Sequence, residues 1–146
     1  MAIKFDSDRL TLHFRLSEFV NTLDGNRMYL DSGFIPFVLQ LQEFRLWYGR
    51  PMNITSGYRT AAYNRKVGGA SNSMHLKGLA VDFRLPAGEL KKYGKARKEE
   101  FYNNIKDKWF LLCDGAGVKG SVVFYDAIIH LDYRRDFRYF DDRRGK

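Results

Sequence analysis

Apolar positions change period several times along the chain, and each change marks an element. Leu10, Leu12, Phe14 and Leu16 alternate, and Ser17 then offers a helix N-cap before Glu18 and Phe19. A polar, glycine-containing connection covers 24–33. In FIPFVLQLQEFRLWYG the residues Phe37, Val38, Leu41, Phe44 and Trp47 recur at helical spacing. Pro36 fits the first turn and Gly49 the end, so this reads as the main helix with an aromatic core stripe. Residues 51–56 predict a short strand, and Thr60 caps a short helix, AAYNRKV, stopped by Gly68 and Gly69. A loop of small polar residues, 69–74, delivers His75, and LAVDFRL predicts a second strand. A further helix fits 97–112, with Phe101, Ile105, Trp109 and Leu112 on one face. One strand is expected over 121–133. The expected fold is α+β: a small antiparallel sheet with several surrounding helices, the strands at 79–85 and 122–133 being neighbours.

Composition narrows the partners. The 146 residues suit one domain, 1–146, ending in a basic tail from about 134 to 146. With 45% hydrophobic and 16% aromatic residues the chain is not of disordered type. A single cysteine, Cys113 in WFLLCD, reads as a small buried hydrophobe. The net charge of +8 points to an anionic partner: nucleic acid, an acidic membrane surface or a polyanionic wall polymer. MAIKFDSDRL has no apolar core, so no secretory signal is expected, and no apolar run is long enough to span a membrane. The Lys/Arg clusters come without a nucleic-acid-binding motif, so no nucleic acid is expected.

The chemistry gathers in 56–83, SGYRTAAYNRKVGGASNSMHLKGLAVDF, where His75 and Asp82 stand seven positions apart. Alternation puts Asp82 with Ala80 on one strand face and Val81 with Phe83 on the other. A carboxylate so flanked needs a partner, whether backbone, an arginine or a metal. His130 interrupts an apolar strand, and Asp132, two further on, shares its face. Two imidazoles and a carboxylate suffice to hold a catalytic zinc ion with one position left for water. They also describe a non-haem iron triad, but the order of the ligands and the shortage of strands speak against it.

SGYRT, YN, VGGASNSMHLKGLAVDF and the distant IIHLDYR resemble the zinc D-Ala-D-Ala carboxypeptidase family, which includes phage-encoded wall hydrolases. The likeness covers most of 14–134. It implies one zinc held by His75, Asp82 and His130, and Arg59 binding substrate near the scissile bond; a structural salt bridge is the alternative for Arg59. It implies Asp132 as support for His130, and peptidoglycan or its stem peptides as substrate, cut at the cell wall by a monomer. The family pattern places a general base a few residues before the last histidine, commonly three, where this chain has Ala127. Asp126 is the nearest carboxylate and shares the His130 face if the strand is regular, and Tyr125 could instead donate to the oxyanion. The departure at Ala127 also leaves open an inactive wall-binding or virion structural module on the same fold.

Overall fold

A computed structural model describes residues 8–20 and 29–146. Residues 1–7 of the stretch read for a leader, and 24–28 of the connection at 24–33, lie outside the described residues. Five strands form one sheet: β1 (Asn53–Ser56), β2 (Ala80–Arg84), β3 (Ser121–Phe124), β4 (Ile128–Asp132) and β5 (Tyr139–Asp142). Their order is β1-β2-β4-β3-β5. The first four pair antiparallel, and β5 adds to β3 in parallel. The sheet is therefore mixed, where sequence periodicity suggests an antiparallel one.

Helices α1 (Phe34–Tyr48) and α4 (Lys95–Ala116) cover one face; α2 (Ala61–Lys66) and α3 (Ala87–Leu90) are short connectors. The period-two pattern of β2 and β4 decides which face they cover. Val81, Phe83, Ile129 and Leu131 are wholly buried against the helices, which leaves Asp82, His130 and Asp132 for the opposite face. Aromatic edges lock the layers together: Phe44 meets Phe83 and Trp109, and Tyr102 meets Phe124. Each such ring, fully buried, contributes about 1.5–3 kcal/mol. Cys113 lies in this core beside the Gln40 amide, and burial pushes its thiol up to about 11.

Several boundaries shift. Trp47 is 43% exposed, and Tyr48, one step around α1, is buried in its place. Ser17 lies inside a 3₁₀ turn, Leu16–Phe19, and bonds Asp8; Glu18 reaches back to the Arg15 N–H instead. Thr60 caps α2 as expected, accepting from the Tyr63 N–H at 3.1 Å.

The strand expected over 121–133 is two strands joined by a turn at 125–127, with the Tyr125 N–H donating to the Ile128 carbonyl. The basic tail is likewise folded. Arg138, Arg143 and Arg144 each pair with a carboxylate, of Asp114, Asp141 and Asp142 respectively. Among the described residues, no helix is long and apolar enough to cross a membrane.

Candidate metal centre

Each of the three candidate ligands is set by a different device. Asp82 and His130 are directly paired across the antiparallel β2–β4 ladder, so their side chains rise from the same face. His75 comes down onto them from a short 3₁₀ turn, Met74–Lys77. Ser73 starts that turn by accepting the His75 N–H, and Gly78, at φ 73°, ends it. One ligand atom from each residue lies within 4.8 Å of the others.

The two imidazoles are oriented by acceptors behind them. His75 Nδ1 donates to the Gly57 carbonyl at 2.6 Å, which fixes the proton there and leaves Nε2 a bare lone pair. That lone pair faces Asp82 Oδ2 at 3.3 Å. Two electron-rich atoms so placed fit a shared cation between them. Gly57 must be glycine, because a Cβ would meet the Phe19 carbonyl oxygen and Cα at 2.4 and 2.6 Å.

His130 stands between two carboxylates, Nδ1 at 2.8 Å from Asp82 Oδ1 and Nε2 at 2.8 Å from Asp132 Oδ2. Asp132 is fully buried and also accepts two bonds from the Arg134 guanidinium, at 3.1 and 2.9 Å. Its backbone carbonyl accepts the Trp109 indole N–H at 3.1 Å, which ties the site to the core helix. A carboxylate behind a ligating histidine fixes the ring's tautomer and orientation.

Without metal, burial pushes the His130 imidazole down, but the bonds to Asp132 and Asp82 outweigh it and raise it to about 9. Metal and proton thus compete for Nδ1. A pKa raised from 6.5 contributes stability that is complete below 6.5 and lost as pH rises through 9. Chelated protein is therefore expected to melt at progressively lower temperature between pH 7 and pH 9.5 (thermal scans across that range). Zinc added at pH 7 should displace about one proton per chain, which calorimetry in two buffers measures.

The triad lies in a cleft of about 570 Å³. Arg59 enters it from the segment after β1. Its guanidinium donates to Ser56 Oγ at 3.0 Å and to Asn64 Oδ1 at 3.3 Å, and approaches Asp82 Oδ2 at 3.5 Å. Tyr125 lines the same cleft, with the Arg143 guanidinium over its ring at 5.5 Å.

Asp126 does not join them. The turn at 125–127 breaks the alternation, and the Asp126 carboxylate is exposed and accepts the Gly145 N–H at 2.7 Å. It borders a different cleft, with Lys95, Lys98 and Tyr102. Among the described residues lining the triad's cleft, Asp82 and Asp132 are the only carboxylates. Sequence reasoning also missed Arg134, Phe137, Tyr139 and Arg143, which line the cleft from the tail. For Arg134 a signal was available: it continues the two-residue period of His130 and Asp132.

Two imidazoles and a carboxylate converging over a sheet face, with a half-buried guanidinium alongside, are the working parts of a metallopeptidase. The Peptidase M15 family model matches residues 12–106, more than half of the chain, and the chain belongs to this zinc D-Ala-D-Ala carboxypeptidase-like family. The matched segment contains Arg59, His75 and Asp82; His130 and Asp132 lie beyond it and are brought in by the β2–β4 pairing. Peptidases of this family are zinc-dependent. No curated protein matches the chain.

Proposed function

We propose that the protein is a monomeric zinc peptidase that hydrolyses peptide bonds of bacterial peptidoglycan at the cell wall. The observation that carries this reading is the convergence of His75, Asp82 and His130, with one ligand atom of each turned inward and acceptors behind the two imidazoles. These three residues would hold one zinc ion, which supplies a Lewis acid and brings the ionisation of water close to neutral pH.

The chain's own groups do the rest. Gly57 and Asp132 keep the two imidazoles turned toward the ion. Arg59 is held by Ser56 and Asn64 before substrate arrives, so its charge meets a developing oxyanion without reorganisation. Tyr125 offers a phenol O–H from the cleft wall for the same purpose or for binding. Asp126, remote from this surface, carries no proton for the reaction. Asp126→Asn is expected to leave turnover close to the parent value, far short of the roughly 10²–10⁴-fold loss that removing a general base causes. Steady-state kinetics on a soluble muropeptide measures it.

Incubation of the purified protein with peptidoglycan, with and without a chelator, followed by mass spectrometry of the products, tests the whole reading. Chelator-sensitive release of peptide fragments is the expected result. Intact peptidoglycan under zinc-replete conditions overturns it. That outcome favours the second reading, a wall-binding or virion structural module without turnover. Its support is the cleft's lack of a carboxylate beyond Asp82 and Asp132 among the described residues.

A further inference from the structure

Packing accounts for only one face of strand β5. On its helix side, the Phe140 ring meets Phe124 edge-on at 5.2 Å and takes the Lys106 ammonium at 4.8 Å. The Arg144 guanidinium lies over Tyr102 at 3.9 Å and pairs with Glu99 and Asp142. These contacts anchor the tail. Tyr139 and Asp141, between them, fall on the other face, and the register fixes this. Tyr139 pairs with Ser121, which pairs with Asp132; Asp141 pairs with Val123, which pairs with His130. Residues directly opposite across a ladder share a face, so this row rises on the side of the triad.

Three aromatic rings gather there. Phe137, Tyr139 and Tyr125 line the metal cleft and remain exposed, while the helix side of the strand supplies the anchorage. Exposed rings collected on the wall of a site point to a ligand. The polar groups among them are fixed in place. The Asp141 carboxylate accepts the Tyr139 hydroxyl at 3.1 Å and the Arg143 Nε–H at 2.7 Å. Guanidinium groups steady two of the rings, Arg143 over Tyr125 at 5.5 Å and Arg134 over Phe137 at 5.2 Å. Aromatic faces carry negative charge density, which suits the slightly positive C–H faces of a sugar ring. Carboxylate, guanidinium and phenol together supply the acceptors and donors that sugar hydroxyl and acetamido groups need.

The spacing fits a sugar linked to a short peptide. Neighbouring strands lie about 4.8 Å apart, so Tyr139 and Asp141 stand two strands, about 10 Å, from Asp132 and His130. That distance equals about three residues of extended peptide. In peptidoglycan a short peptide stem hangs from a sugar of the glycan strand.

We propose that Phe137, Tyr139 and Tyr125 form a sugar-binding wall, which holds the glycan residue carrying the stem while the stem lies over the triad. The inference rests on the peptidase reading above and makes the glycan-linked stem, rather than free peptide, the preferred substrate.

The test compares zinc-loaded protein on a disaccharide-bearing muropeptide and on the same stem freed of its sugars by an amidase. Two ring contacts of ordinary aromatic strength amount to about tenfold, so kcat/KM should be about tenfold higher with the sugars, the difference lying in KM. Phe137→Ala combined with Tyr139→Ala should bring the two substrates to the same kcat/KM. Tyr139→Phe, which keeps the ring, should retain most of the preference. Equal cleavage of both substrates by the parent overturns the inference and gives the rings to the peptide itself. An unchanged preference in the folded double variant overturns it too. Should the double variant not fold, Phe137→Ala alone decides, because this residue precedes the strand: the preference should fall, and an unchanged preference overturns the inference. Should neither substrate be cut, calorimetry decides. Tighter binding of the sugar-bearing stem, lost in the same variants, upholds the sugar wall while the peptidase reading fails. Equal binding of the two stems overturns the wall as well.

Discussion

A protein carrying His75→Ala together with His130→Ala is expected to fold, to retain no zinc after dialysis and to show only the background activity of the chelated parent. The parent should hold about one equivalent by elemental analysis. The loss in affinity should well exceed the roughly 10–100-fold that residues merely supporting a ligand are worth, because two of the three protein donors disappear. Folding should survive because Val81, Phe83, Ile129 and Leu131 form the core side of the same two strands and are untouched. Asp132 also keeps its two bonds from Arg134. Stoichiometric zinc in the double variant would place the ion elsewhere.

Arg59→Ala should have the next largest effect, a fall in turnover of roughly 10²–10³-fold, the usual consequence of losing one oxyanion donor. Zinc content should not change, since Arg59 touches Asp82 only at 3.5 Å while both imidazoles flank that carboxylate more closely. Arg59→Lys should recover a fraction of the rate: it restores the charge but cannot donate simultaneously to Ser56, to Asn64 and into the cleft. If Arg59 served only as a salt bridge that steadies Asp82, excess zinc would restore both variants. Persistence of the defect at saturating metal separates the two roles.

Much of the site was legible because period two is a strong signal where one strand face is buried. Asp82 between Val81 and Phe83, and His130 beside Leu131, could point only away from the helices. The break at 125–127 was hidden because YDA carries a single turn-favouring residue, Asp126, without glycine, proline or asparagine beside it, and the apolar residues on either side read as one run. The error passed directly to Asp126, whose assignment required a regular strand. The order of the tail was not legible for a different reason. Its arginines look like a solvated cationic run until the fold supplies partners distant in sequence, such as Asp114 for Arg138 and Glu99 for Arg144. Parallel pairing of β5 with β3 has no local signature at all, since nothing between them dictates on which edge the returning chain will lie. In α1, one step of helical rotation separated Trp47 from Tyr48, and a stripe drawn from spacing alone could not resolve it.

The indole bond from Trp109 to the Asp132 carbonyl gives the molecule a built-in optical gauge of its own metal load. Trp109 sits in the dark interior, one hydrogen bond from the residue that braces His130, while the chain's other tryptophan, Trp47, is exposed and supplies a steady background. Exchange of the His130 proton for a dication changes the local field along this link. Intrinsic fluorescence during a zinc titration should therefore shift in intensity or wavelength with the binding isotherm, and the shift should vanish in Trp109→Phe while binding itself persists.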